Sequence, residues 1–130
     1  MTDATMPATG ATAAVTHEVT EADTAKALGS GDLPVLGTPR LLAWAEEATC
    51  AAVAESLDTS RTSVGTEVRI EHLQPSPLQA TVAVRAELTH VEDRLLRFEV
   101  SAQHGDGRVV AHGEVTRAVV DRDRFLQRLR

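Results

Sequence analysis

The sequence predicts a single α+β domain in which one antiparallel sheet curls around one long helix. Three observations lead there. The stretch "LGTPRLLAWAEEATCAAVAESL", Leu36 to Leu57, is apolar at helical spacing nearly all round. After it the apolar pattern switches to period two and stays there, through four successive stretches. One helix followed by strands with one apolar face each leaves a single way to build a core, with the sheet covering the helix.

The elements follow in order. Residues 1–12 are rich in Thr, Ala and Gly, carry no motif and read as a disordered tail, so the domain is expected over 13–130. Val15, His17 and Val19 alternate as a first strand does, and "LGSGDLPVLGTP" is a loop punctuated by Gly and Pro. Thr38 is expected to cap the long helix, with Pro39 at its first position, where the missing N–H costs nothing. In the next stretch Val64, Val68, Ile70 and His72 share one face, opposite Glu67, Arg69 and Glu71. Ala80, Val82, Val84, Ala86 and Leu88, then Leu96, Phe98, Val100 and Ala102, supply further inward faces. "GDG" at 105–107 signals a hairpin, and Val109, Ala111, Gly113 and Val115 share the last inward face, with Gly113 marking a bulge or a close backbone approach. "RDRFLQRLR" closes the chain as a short helix. The four strands are expected to pair as a meander. The unpaired edges of such a sheet favour its continuation into a second subunit, hence a dimer, which can pair again into a tetramer.

Composition narrows the function. The 130 residues carry a net charge of −6, and the 13 basic residues are scattered among acids. That argues against nucleic acid, as does the absence of tyrosine beside one tryptophan and two phenylalanines. The apolar runs fall well short of the roughly 20 residues that span a bilayer, and "MTDATMPATG" lacks the features of a leader. A lone Cys50 gives no disulfide framework and no zinc cluster, so a reducing cytoplasm is the expected setting and no metal or other cofactor is expected.

Two polar residues stand where apolar ones belong. Glu46 interrupts the helical stripe Leu42, Glu46, Cys50, Val53, Leu57, and His72 lies on the inward side of its strand. A carboxylate in an apolar setting is a candidate for proton transfer. The alternative is a stripe at the edge of the core, from which Glu46 reaches solvent or an arginine. Glu47 points elsewhere and reads as a surface glutamate.

The stretches "THEV", "GTPRLLAWAEEA", "SVGTEVRIEHLQPSP", "LTHVEDRLLRFEVSAQHGDG" and "HGEVTRAVVDRDRF" resemble the fluoroacetyl-CoA thioesterase family, from about Thr16 to Phe125. Family members carry a Thr, a Glu eight residues on, a Gly in the next strand and a His seven residues later, and Thr38, Glu46, Gly65 and His72 hold that spacing. The resemblance implies the hotdog fold, a dimer, and hydrolysis of an acyl-CoA thioester; the few aromatics and the small residues suggest a short- or medium-chain acyl group. It implies Thr38, Glu46 and His72 as catalytic residues and Gly65 as a place where the ligand meets the strand. Thr49 and Cys50, one turn on, read as packing. Pro39 removes a backbone donor at the helix start, which leaves Arg40 N–H, Gly65 N–H or Thr38 to bind oxygen. Arg40, Arg69, Arg117 and the terminal arginines are the cations available to coenzyme A. The loop "ADTAKALGSGDLPVLG" has no phenylalanine, whereas fluoroacetyl-specific members have an aromatic lid, so fluoroacetyl-CoA is not the expected substrate. A protein of this fold that binds an acyl thioester or another small molecule without turnover is the competing reading.

Overall fold

The periodicity of the sequence translates into a sheet of five strands on one helix in a computed structural model that describes residues 5–130. Strand β1 (Thr12–Glu18) leads through a 3₁₀ turn (Glu21–Asp23) and a short helix α1 (Ala25–Leu28) to the long helix α2 (Thr38–Val53). A further 3₁₀ turn (Ala54–Ser56) precedes β2 (Arg61–His72), β3 (Thr81–Glu92), β4 (Leu95–His104), β5 (Val109–Asp121) and the terminal helix α3 (Arg122–Gln127). Asp121 caps α3 by accepting from Arg124 N–H at 3.0 Å. Among the described residues no helix is long and apolar enough to cross a membrane.

Neighbouring strands are antiparallel in the order β1-β3-β4-β5-β2, which corrects the expected meander. Strands β3, β4 and β5 are successive hairpins, but β2 pairs with β5 rather than with β3, and β1 takes the free side of β3. The physical reason lies in the connections. Residues 93–94 and 105–108 are hairpin-length turns, with Asp93 at φ 54° and Gly107 at φ 88°. The β2–β3 connection over 73–80 is longer, contains Pro75 and Pro77, and carries the chain across to the other side of the sheet.

The core is aliphatic. Leu41, Trp44, Ala45, Ala48 and Val53 of α2 are buried against Val82, Val84, Ala86, Leu88, Leu96, Phe98, Val100, Ala102 and Val115. The helix therefore docks through Leu41, Ala45 and Ala48, one step around from the expected stripe. Leu42 and Glu46 fall at the edge of the core and Cys50 is exposed, whereas Thr49 is buried with its hydroxyl donating to the Glu46 carbonyl at 2.6 Å. Glu47 is exposed, as expected, and its carboxylate lies 2.7 Å from His17 Nε2, whose ring stacks on Trp44 at 4.5 Å.

Three further boundaries move. Gly10 N–H bonds Leu88 O and Leu88 N–H bonds Ala11 O, so residues 10–12, assigned above to a tail, extend the β1 edge; residues 1–4 of that tail lie outside the described residues. Val109 is exposed and Val110 buried, since the register with β4 shifts at Ala102–Gln103. A second shift, between Gly65 and Glu67 against β5, makes Thr66 an extra residue. Val64 consequently pairs with Ala118 and turns away from the face of Val68 and Ile70, while Ser63 and Gly65 turn towards it opposite Val119 and Arg117.

Gly113 is a close backbone approach rather than a bulge. A Cβ there would run into Arg69 O and lie 2.8 Å from Ile70 Cα. The missing side chain lets β2 lie tightly against β5 at this point.

Candidate active site

Two groups of polar residues flank α2, one at its start and one in its middle. At the start, Thr38 is the first helical residue and Gly37 the N-cap, with φ −77° and ψ 139° and no side-chain cap. The expected capping role of Thr38 is thus displaced. Its hydroxyl instead meets His72 Nδ1 at 2.8 Å, across from the last residue of β2. His72 pairs with the buried Ala111 and points inward, half-buried, and its Nε2 is shielded without a hydrogen-bond partner. Burial lowers the His72 pKa from the ordinary 6.5, with the Gln74 backbone partly opposing the shift.

In the middle, the Glu46 Oε2 accepts from Arg117 Nη1 at 2.9 Å. Arg117 is only 6% exposed and is held by Ser63, donating from Nε to Oγ at 2.8 Å and from Nη2 to the backbone O at 3.0 Å. Gly65 faces the same spot, since a Cβ there would run into the Glu46 carboxylate and lie 3.4 Å from Arg117 Nη1. The bulge at Thr66 produces this arrangement by turning Ser63 and Gly65 inward.

The chain therefore joins Thr38 to His72 and Glu46 to Gly65, and keeps the pairs apart. Eight helical residues span about 12 Å, so Thr38 and Glu46 sit two turns apart. Arg40 joins neither group. Its Nε lies 2.9 Å from Asp23 Oδ1, its Nη2 donates to Ala22 O at 3.4 Å, and its N–H bonds Gly37 O. That engagement ties the Arg40 side chain to the 3₁₀ turn at Glu21–Asp23. Arg117 is likewise committed inside the fold and is no cation for coenzyme A. Its partnership with Glu46 was missed from the sequence, although a charged residue in phase with Ala111, Gly113 and Val115 was the available signal. Among the described residues no His, Cys, Asp and Glu side chains cluster as a metal site would.

Gly65→Ala provides a direct test of this packing. The obstacle to its Cβ is the end of a flexible side chain, so the carboxylate should swing off Arg117 while the fold persists. Thiol release from an acyl-CoA should fall on the order of 10²-fold, with circular dichroism unchanged; wild-type turnover would show that the position of Glu46 is immaterial.

A five-stranded antiparallel sheet curled on one long helix, with polar residues at the helix edge, defines a protein of the hotdog-fold thioesterase class. The chain belongs to the fluoroacetyl-CoA-specific thioesterase family, a family of thioester hydrolases, whose model matches residues 19–123. It is 33% identical over 96 residues to the fluoroacetyl-CoA thioesterase of Streptantibioticus cattleyicolor, covering 74% of this chain and 68% of that one. A solved structure of the fluoroacetyl-CoA thioesterase superposes with a TM-score of 0.87 at 27% identity, covering 96% of both chains. A point mutant of that enzyme in complex with acetyl-CoA superposes at 0.88 and 26% identity, over 95% of this chain and 96% of that one. A thioesterase superfamily member from Thermus thermophilus shares the fold, with a TM-score of 0.85 at 21% identity over 94% of this chain and 92% of that one.

Proposed function

We propose that this chain hydrolyses a short- or medium-chain acyl-CoA thioester at a site shared by two copies, with Thr38 and His72 from one and Glu46 and Gly65 from the other. The observation that carries the reading is the shielded His72 Nε2 without a partner, at the end of a strand whose outer edge is free. Antiparallel pairing of β2 with its copy, about an axis near Val68, sets His72 of one chain opposite Gly65 of the other. The Glu46 carboxylate then comes to the imidazole across the interface. The half-buried Leu42 and exposed Ala43, Cys50 and Ala51 of α2 gain cover in the same assembly.

In this site Glu46 acts as base or nucleophile towards the thioester carbonyl. Arg117 holds Oε2 and leaves Oε1 to act. His72 orients and shares protons with it, Thr38 holds the water or the reacting oxygen, and Gly65 gives the substrate room against the strand. Departure needs little assistance, because a thiolate leaves readily. Leu28 and Leu33 are exposed on the segment before Thr38, which suits an aliphatic acyl group better than an aromatic lid would.

The first experiment is thiol release from short, medium and aromatic acyl-CoA thioesters. Release of one group that His72→Ala suppresses supports the reading; binding without release on any thioester would make the protein a binding module. Mixing Glu46→Gln and His72→Ala subunits then tests the sharing. Random pairing makes roughly half the dimers mixed, each with one intact site, so about a quarter of full activity should return. Sites built within one chain would restore none.

His72 also sets the pH response. Only the neutral ring can accept from Thr38, and burial keeps it neutral below pH 6.5. The acid limb of kcat/KM should therefore lie below 6.5. Stability should follow the same sign: the unfolded chain takes up a proton first as pH falls through 6.5, so this contribution is present above that value and lost below it. An acid limb above 6.5 would contradict the assignment.

A further inference from the structure

We infer that Ser76 and His104 form a clamp that sets the distance between Thr38 and His72, and are positioning residues of the reaction. The inference rests on the site proposed above. Ser76 lies in the 73–80 connection, where loop residues are ordinarily exposed, yet its exposure is 0%. Its hydroxyl meets His104 Nε2, at the end of β4, at 2.7 Å. A buried hydroxyl needs such a partner, and this one fastens the connection to the β4–β5 hairpin.

The backbone of the same residue reaches the other side. Leu36 N–H bonds Ser76 O at 2.9 Å, and Val35 and Pro77 form an antiparallel bridge beside it. Leu36 is 2% exposed and is separated from Thr38 by Gly37 alone. On the connection itself, Leu73 and Gln74 N–H both bond Val110 O, so little slack remains between His72 and Ser76. The two partners of the Thr38–His72 hydrogen bond thus approach from separate segments, and Ser76 joins those segments. Its side chain fixes the joint to the sheet.

Without the hydroxyl the connection keeps its backbone bonds but loses its anchor. The Thr38–His72 distance then varies, and the imidazole gains access to water. Ser76→Ala should lower kcat on the order of tenfold with KM changed less than about twofold. It should also move the acid limb of the pH profile upward, towards the ordinary histidine value, because the ring is held below it by burial. General destabilisation would not move that limb. Leu88→Val, in the core towards the far end of β3, is the control, expected to lower Tm while keeping the wild-type pH profile.

His104 separates the clamp from mere packing. His104→Gln offers an amide to Ser76 and should keep kcat within about threefold, whereas His104→Leu should reproduce Ser76→Ala. The experiment is a pH series of steady-state kinetics on these variants, with a thermal melt of each. Ser76→Ala with the acid limb of wild type, or His104→Leu with wild-type kinetics, overturns the clamp. Full turnover by His72→Ala would instead overturn the site on which it rests.

Discussion

Glu46→Gln should abolish most turnover while leaving the protein folded, with thiol release falling by about 10²- to 10⁴-fold, the range typical of a lost general acid or base. The amide has the shape of the carboxylate and still offers an oxygen to Arg117 Nη1, so the guanidinium keeps its contacts with Glu46 and Ser63. What disappears is the group that, in the proposed site, takes a proton or attacks the carbonyl. Glu46→Ala is a poorer test, since it leaves Arg117, 6% exposed, without its counter-ion. That change should cost about 2–3 kcal/mol, less than a fully buried pair because Glu46 is only partly shielded. The comparison separates the two readings of Glu46. A Gln variant with wild-type turnover would make it a structural partner of Arg117 and nothing more.

Gly113→Ala should have the largest effect on stability of any single methyl added to this chain. A new Cβ would meet Arg69 O and Ile70 Cα, which belong to the backbone of the paired strand and cannot rotate away. Overpacking of this kind costs up to about 3 kcal/mol, or roughly 10 °C in Tm for a domain of this size. The relief available is a flattening of the sheet where β2 crosses β5, which would also carry His72 away from Thr38. Activity should therefore fall together with stability, unlike Gly65→Ala, where only activity falls. A denaturant melt at the wild-type midpoint would show that the sheet absorbs the methyl without strain.

How much of this was legible in the sequence depends on the kind of information involved. Period two gave the inward faces of β3 up to Leu88 and of β4 residue by residue, because side chains alternate strictly wherever no register shift intervenes. It failed at Val64 and Val109, where a register shift reverses the phase and composition marks neither shift. The helix is plain in the sequence, but the apolar stripe lies one step from the docking face: Leu42 and Cys50 are as apolar as Ala45 and Ala48, and only the sheet decides among them. Strand order is not written in the periodicity, because pairing is a matter of loop reach and is decided by the longer 73–80 connection. At the site, Glu46 and His72 stood out as polar residues at apolar positions. Arg117 did not, because its meaning depends on which α2 residue lies above it, and Thr38 changed role because a distant histidine claimed its hydroxyl.

The stack of His17 on Trp44 makes the protein its own optical instrument. With one tryptophan and no tyrosine, intrinsic emission comes from a single ring, 6% exposed and covered by an imidazole from β1. The emission therefore reports whether the helix is seated on that edge strand, and it should shift to the red as water reaches the indole. Fluorescence in this protein thus records the docking of the helix, while events around Glu46, on another face of the same helix, pass unseen.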